Sequence, residues 1–149
     1  MSIISELWDR QTLPIHNGFY CASGRSYELT QDSSSPSGVK IERAFDLESF
    51  LRAEPDWVTS IDVTRVKQIG ESEGYLCCGD GSYGSEGFIA KIDSVKKLLW
   101  VAYLENSNPF DEIEILSDAA IFRSTSGVRI TVNARVVFQM QEYIEPKIF

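Results

Sequence analysis

The fold is decided by residues 75–133, which begin with Tyr75-Leu76-Cys77-Cys78 and continue through Phe88-Ile89-Ala90-Lys91-Ile92 to Leu98-Leu99-Trp100-Val101-Ala102-Tyr103-Leu104. Further runs of the same kind follow at residues 111–116, 119–124 and 128–133. Each run has four to seven residues and is closed by Gly, Asp, Asn, Ser or Pro. This pattern is typical of successive antiparallel strands joined by tight turns, so it predicts a meander.

Two of these runs differ in the way their apolar residues are spaced. Residues 98–104 are nearly continuous in apolar character, which is expected of a central strand that is covered on both faces. Asp111-Glu112-Ile113-Glu114-Ile115 alternates, which is expected of a strand that keeps one face in water. The sequence therefore predicts that Trp100 is buried in the middle of the sheet.

The remaining segments add strands and short helices around this stretch. Ser2 and Asp46 are candidate N-caps of helices over residues 2–8 and 46–53, and Pro55 closes the second. Strands are predicted at residues 16–22, 25–30, 39–44, 56–69 and 134–143. Together these elements predict an α+β fold that is mainly β. It is an antiparallel meander sheet, flat or curved into a half-barrel, with one or two short helices in a single domain over residues 1–149.

Composition limits the classes of partner. The chain has 14 Lys and Arg against 22 Asp and Glu, and its net charge of −8 opposes binding to nucleic acid. No apolar run approaches the roughly 18 residues that a membrane span requires, so we expect no membrane partner. Residues 1–10 lack the features of a secretion signal and the three cysteines include the neighbours Cys77 and Cys78, which predicts reduced thiols in the cytoplasm.

The acidic residues are unevenly placed along the chain. No basic residue occurs between Lys97 and Arg123, whereas five acidic residues do: Glu105, Asp111, Glu112, Glu114 and Asp118. One interpretation is a strand face that is simply solvated, and the other is a surface for a basic protein partner. In the second interpretation Tyr83 and Phe110 are candidate aromatic anchors of the interface.

Sequence motifs favour no cofactor and no metal site. Gly79-Asp80-Gly81-Ser82-Tyr83-Gly84 has the spacing of a dinucleotide fingerprint, but a strand follows it where the fingerprint requires a helix. We therefore expect residues 79–87 to form a connecting loop with several glycines at positive φ. Zinc needs clustered Cys and His, and the chain has a single histidine, His16.

The sequence offers equally little evidence for catalysis, and we expect that this protein is not an enzyme. A Ser or Cys nucleophile would need His16 as its base, because there is no other imidazole. Glu112 and Glu114 are predicted to project from one sheet face about 7 Å apart, which leaves open a hydrolase that uses this carboxylate pair.

Four segments of the chain carry a resemblance to a known class of proteins. They are residues 79–84, the strand at 88–93, the pair Leu99-Trp100, and Glu105-Asn106-Ser107-Asn108-Pro109-Phe110. Together they resemble the small acidic immunity proteins that are encoded beside bacterial polymorphic or contact-dependent growth inhibition toxins. The same stretch also resembles one blade of a quinoprotein-type propeller, although 149 residues are too few for four blades of some 40 residues.

The resemblance to immunity proteins implies a binding protein without a cofactor. Its partner would be the cognate bacterial toxin domain, a basic nuclease whose active site it occludes, and its acidic surface would imitate the phosphate charge of the nuclease substrate. Two other classes stay open from the residues alone. One is a small ligand-binding or structural β module, recognised by an exposed aromatic groove, and the other is the hydrolase that uses Glu112 and Glu114.

Overall fold

The computed structural model describes residues 1–133 and 148–149. Its helices are α1 (Ile3–Asp9) and α2 (Leu47–Ala53). Its strands are β1 (Thr12–Pro14), β2 (Gly18–Cys21), β3 (Ser26–Gln31), β4 (Val39–Phe45), β5 (Val58–Gln68), β6 (Tyr75–Gly81), β7 (Gly87–Ile92), β8 (Leu98–Leu104), β9 (Phe110–Ile115), β10 (Ala119–Ser124) and β11 (Arg129–Asn133). The strand predicted at residues 134–143 lies outside the described residues.

The strands form two antiparallel sheets. The larger has eight strands in the order β1-β5-β6-β7-β8-β2-β3-β4, and the smaller has three in the order β11-β10-β9. The prediction of a mainly β, antiparallel fold with two short helices is confirmed. The eight-stranded sheet does not close on itself, because β1 and β4 form its two ends.

The predicted single meander is wrong after β8. Strands β6, β7 and β8 are neighbours as expected, but β9, β10 and β11 form the separate smaller sheet. The reason is that β8 is already paired on both edges, with β7 on one side and β2 on the other. The chain therefore leaves the sheet through Asn108, which has a φ of 64°, and Pro109, and it returns as a second layer.

The larger sheet lies between two hydrophobic cores. On one face the side chains of Trp100, Ala102 and Leu104 pack in the core that includes Phe122 and Ile130 of the smaller sheet. On the other face Val101 and Tyr103 pack in the core that includes residues of α1 and α2. Because both faces of β8 are covered, its sequence is nearly continuously apolar, and Trp100 is only 1% exposed.

Both helices begin where the sequence predicts. Ser2 Oγ accepts a hydrogen bond from the Ser5 amide at 3.3 Å, and Asp46 Oδ1 accepts one from the Glu48 amide at 3.1 Å. Hydrogen bonds from Ser49 and Glu48 also lower the pKa of the exposed Asp46 carboxyl, which keeps the cap ionised at neutral pH. Each helix has only seven residues, so its stability depends on packing against the larger sheet.

The glycine-rich segment is shorter as a loop than the sequence predicts. Residues 79–81 belong to β6 and Gly87 belongs to β7, so the connection covers residues 82–86, where Gly84 alone has a positive φ, of 87°. Gly79 is needed for close approach instead, because a Cβ there would lie 1.8 Å from the carbonyl oxygen of Asp62. The turn leads into a strand, as expected, and not into the helix of a dinucleotide site.

The three thiols, of Cys21, Cys77 and Cys78, are reduced and buried. Burial raises the pKa of Cys77 to about 12 and that of Cys78 to about 11. Since the thiolate is the reactive form, we expect negligible labelling of the native protein by dithionitrobenzoate at pH 8 and rapid labelling of all three thiols in urea. Equal labelling rates with and without urea would contradict this burial.

Candidate protein-interaction site

Glu112 and Glu114 lie together on the exposed face of the smaller sheet, as predicted. Arg123 of the neighbouring strand β10 binds both, with 3.6 Å between its Nη1 and Glu112 Oε2 and 2.9 Å between its Nη2 and Glu114 Oε1. The two carboxylates are 63% and 48% exposed, so they are solvated and share one guanidinium. Arg123 therefore offsets part of the negative charge of this exposed pair.

Phe110 does not reach the surface. Its residue is fully buried, so the prediction that it anchors a partner is wrong. The cause is a β-bulge: Glu112 pairs with Arg123 and Phe110 with Ser124, which leaves Asp111 as an extra residue in β9. The bulge turns Phe110 toward the same core as Ile113 and leaves Asp111 exposed.

The other predicted residues lie in three separate connections. Asp118 is exposed between β9 and β10, Tyr83 is 71% exposed between β6 and β7, and Glu105 follows β8 and is partly buried. Two of these connections are in contact, because the Asn108 amide, which follows β8, donates to the Ser85 carbonyl of the β6–β7 loop at 2.8 Å. Among the predicted carboxylates, Glu105 is the one that lines the groove described below.

The Tyr83 loop is held by a buried carboxylate. Glu86 is 2% exposed, and its Oε1 accepts a hydrogen bond from the Tyr83 amide at 2.9 Å. Its Oε2 accepts one from the Tyr103 hydroxyl, whose pKa is raised by burial and by this contact with Glu86. Ser82 adds a hydrogen bond from its amide to Thr59 Oγ1 at 3.1 Å. Tyr83 is therefore presented on a loop that internal hydrogen bonds keep in one conformation.

Glu105 lines a groove of about 460 Å³ that the sequence did not reveal. The other walls come from the β1–β2 connection at residues 15–17, from Glu28 of β3, Glu42 of β4, Phe50 of α2, and Trp57 ahead of β5. The groove lining thus includes three acidic and two large aromatic residues from segments that are far apart in sequence. We call this cavity the acidic groove.

Backbone contacts connect the segments of the acidic groove. The Ile15 amide donates to the Trp57 carbonyl at 2.9 Å, and the Glu105 amide donates to Asn17 Oδ1 at 2.7 Å. These bonds place Trp57 and Glu105 beside the same β1–β2 connection. Trp57 is nevertheless 48% exposed, which is unusual for so large an apolar side chain and is characteristic of a binding surface.

A second β-bulge lies in the part of the acidic groove that β3 and β4 line. Between the pairs Tyr27–Ala44 and Leu29–Ile41, Glu28 faces two residues of β4, Glu42 and Arg43. Arg43 Nε donates to Glu28 Oε1 at 2.7 Å, whereas Glu42 Oε1 accepts only a hydroxyl hydrogen bond, from Thr30 at 3.3 Å. In the part of the chain that the structure describes, neither Glu42 nor Glu105 forms an ion pair.

The Glu105 carboxylate acts on nearby hydroxyls. Burial is the main cause of the raised pKa of Tyr20 and of Tyr103, and the negative charge of Glu105 raises both further. The Tyr20 hydroxyl remains protonated and donates to the His16 carbonyl at the edge of the acidic groove. The negative charge of Glu105 thus affects two buried tyrosines as well as the groove surface.

His16 lines the acidic groove, but its surroundings fit a packing role. Its ring stacks on Phe45 with 4.4 Å between centroids and meets Phe50 edge-on at 4.9 Å. Nδ1 lies 3.0 Å from the Asn17 carbonyl oxygen, and Nε2 lies 3.9 Å from Glu28 Oε2. The hydroxyl of Thr30, which also lines the groove, donates to Glu42 Oε1 at 3.3 Å.

Sequence reasoning missed Glu28, Glu42, His16 and Trp57 as neighbours. The available signal was weak: Trp57 lies next to Asp56 and Pro55, a polar turn that is a poor place for a core residue. The convergence itself depends on long-range pairing and on the bulge in β4, neither of which has a signature in this sequence. We therefore take the acidic groove, with Glu105 as its predicted member, as the candidate site.

Neither a metal site nor a membrane-spanning helix is found in the described residues. Over residues 1–133 and 148–149, no three His, Cys, Asp or Glu side chains are grouped so that they could hold a metal ion, and no helix there is long and apolar enough to span a membrane.

Comparisons with known proteins assign no family to this arrangement. No protein-family model, curated protein or solved structure matches the chain.

Proposed function

We propose that this protein is an immunity protein, which binds the cognate toxin domain of a bacterial polymorphic or contact-dependent growth inhibition system and occludes its active site. The toxin would be a basic nuclease, and the complex would form in the cytoplasm without a cofactor. The observation that carries the proposal is the acidic groove, whose lining combines Glu28, Glu42 and Glu105 with the exposed Trp57 in a chain of net charge −8.

Electrostatics supports a basic partner. A nuclease binds phosphates through Lys and Arg, and carboxylates that converge on one groove offer those side chains an alternative anion. Long-range attraction between an acidic inhibitor and a basic enzyme also raises the association rate, which suits an antidote that must act before the toxin does. The sequence resemblance to immunity proteins points to the same class of partner.

Packing supports a protein partner over a nucleic acid or a small metabolite. Trp57 supplies exposed aromatic surface of the kind that dominates binding energy at protein interfaces, and Tyr83 supplies more on a loop fixed by Glu86. Because its hydrogen bonds preorganise this loop, little conformational entropy is lost when a partner binds it.

We assign the contact with the toxin to the acidic groove and not to Glu112 and Glu114. Arg123 already binds both of those carboxylates, whereas Glu42 and Glu105 form no ion pair with any described residue. The groove therefore presents more uncompensated negative charge to a partner. The exposed face of β9 and β10 would lie outside the contact.

The neighbouring gene gives the direct test. We expect an adjacent reading frame to encode a large secreted protein whose C-terminal domain arrests growth when expressed alone and degrades nucleic acid in vitro. Co-expression of this chain should restore growth, and the purified domains should form a stable complex without nuclease activity. A toxin domain that remains active in the presence of excess chain would contradict the proposal.

Paired variants with the same net charge locate the contact. E42Q/E105Q and E112Q/E114Q each remove two negative charges, so nonspecific electrostatics changes equally. We expect the first pair to weaken toxin binding by about a hundredfold and the second to change it by less than about threefold. Dissociation constants from titration calorimetry, with urea unfolding of each variant, provide the measurement. Equal weakening by both pairs would contradict the assignment of the groove.

A further inference from the structure

Strand β5 has one edge that is largely unpaired. Its neighbours in the larger sheet are β1 and β6. Strand β6 pairs along residues 61–68, whereas β1 pairs only with residues 58–60, and a hydrogen bond from the Ile61 amide to the Gln11 carbonyl ends that contact. Residues 62–68 are all exposed, and along their outer edge no strand of the described chain pairs with them. Such an edge is a template for pairing with another chain.

A third β-bulge, in β5 itself, decides which side chains of this edge share a face. The pairing with β6 shifts at Thr64, which is an extra residue. Val63 pairs with Gly79, and Val66 pairs with the residue two positions before Gly79. Residues two positions apart on a strand lie on one face of the sheet. Val63 and Val66 therefore share a face although they are three positions apart.

The same bulge places two opposite charges together on the other face. Asp62 pairs with Asp80, and Lys67 pairs with the residue four positions before Asp80. Asp62 and Lys67 thus share a face although they are five positions apart, which a strand without a bulge does not allow. Neither forms an ion pair with a described residue. Burial and then the negative charge of Asp62 raise the pKa of Asp80, so Asp62 meets a like charge within its own chain.

The smaller sheet holds the bulge in place. Thr64 Oγ1 donates to the Phe110 carbonyl at 2.6 Å. Arg65 Nε donates to the Asp111 carbonyl at 3.0 Å. Both side chains therefore face β9, and the edge of β5 has its shape before a second chain binds.

These positions make the edge of β5 complementary to itself. When two copies of the edge run antiparallel about a twofold axis at the bulge, Val63 of one copy lies opposite Val66 of the other. Asp62 lies opposite Lys67 in the same way. Each pair joins side chains on the same face, as directly opposite residues of an antiparallel ladder require, and each occurs twice by symmetry. Without the bulge, no twofold register brings these residues together on one face.

We propose that this protein forms a homodimer through β5, in which two larger sheets join edge to edge as one continuous antiparallel sheet. Charge favours a second copy over an unrelated strand, because each chain supplies both the anion and the cation of the contact. Val63 and Val66, which are 48% and 52% exposed, bury apolar surface against each other. A lysine and a bulge commonly keep an edge from pairing, but here both match their counterparts in the second copy.

The dimer does not depend on the immunity function. No residue of 62–68 lines the acidic groove, so the two surfaces are separate. A single strand pair buries less area than a standard protein interface, and we expect a dissociation constant on the order of 10 μM. Sedimentation velocity from about 1 to about 200 μM should show the shift from monomer to dimer by mass action. A monomer throughout this range would overturn the proposal.

Charge reversals at Asp62 and Lys67 test the register. D62K and K67D each place like charges opposite each other in a homodimer, so each variant alone should dimerise at least about tenfold more weakly. An equal mixture of the two variants should form a heterodimer about as stable as the parent dimer, because every charge then meets its opposite. The double variant D62K/K67D should recover the homodimer for the same reason. Thermal unfolding checks that each variant is folded.

The controls make the same substitutions elsewhere on the surface. K40D lies on β4, at the other end of the larger sheet, and D118K lies between β9 and β10. Each should leave the dissociation constant within about twofold, because neither residue belongs to the β5 edge. Homodimers of D62K and K67D as stable as the parent, or a mixture of the two that stays monomeric, would overturn this dimer. Loss of the dimer in K40D alone would place the contact on β4 and overturn it as well.

Discussion

Replacement of Trp100 by alanine is expected to lower the free energy of unfolding by about 3 to 5 kcal/mol. Trp100 is 1% exposed, and its ring lies 5.6 Å from the ring of Phe19 and 6.2 Å from that of Phe149, measured between centroids. The variant loses this burial and leaves a cavity between the two sheets that the close-packed neighbours cannot fill. Urea unfolding followed by circular dichroism gives the measurement.

Trp57 supplies the matched control for this experiment. It is the same residue type but 48% exposed, so its replacement by alanine should change the free energy of unfolding by less than about 1 kcal/mol. A loss below about 1 kcal/mol for both variants would show that the core between the sheets does not depend on Trp100, and the two-layer arrangement would then be wrong.

Replacement of Glu86 by alanine is expected to cost about 2 to 5 kcal/mol of unfolding free energy. The change removes the acceptor of the Tyr103 hydroxyl and of the Tyr83 amide, and leaves the first of these donors buried without a partner. The hairpin tip at residues 82–86 should also lose its fixed conformation. Urea unfolding measures the first effect, and faster hydrogen exchange of the Tyr83 amide measures the second.

Glu114 is the control for a carboxylate at the surface. It is 48% exposed and bound to Arg123, so its replacement by alanine should cost less than about 1 kcal/mol. E86Q keeps one acceptor oxygen and should fall between E86A and the unmodified protein. An E86A variant as stable as E114A would show that the buried carboxylate does not hold the loop.

Local sequence patterns were sufficient wherever a structural element depends on its own residues. Asp46 and Ser2 cap helices because their side-chain oxygens accept amide hydrogens two or three residues later. The alternation over residues 112–115 of β9 and the apolar run of β8 predicted the exposure of those residues correctly, because side chains alternate between the faces of a regular strand.

Prediction failed where one extra residue changes the facing of a side chain. The bulge at Asp111 turns Phe110 into the core, and the bulge opposite Glu28 brings Glu42 and Arg43 to the same carboxylate. A bulge reverses the facing of every residue beyond it, so alternation read along the chain gives the wrong face. The acidic groove includes such a bulge and is lined by six separated segments of chain, and local patterns therefore could not reveal it.

The sequence by itself determined strands β2 to β11, the two capped helices, the buried position of Trp100 and the acidic net charge, because each follows from neighbouring residues or from composition. Only the tertiary structure decided that β8 pairs with β2 and that β9 begins a second sheet. It also decided that Glu105 lines one groove together with Glu28, Glu42 and Trp57. The physical reason is that strand pairing and groove formation are contacts between distant segments. The free energy of such a contact depends on which strand edges are already paired. Both edges of β8 are paired, with β7 and with β2, and the sequence of β9 alone does not contain that information.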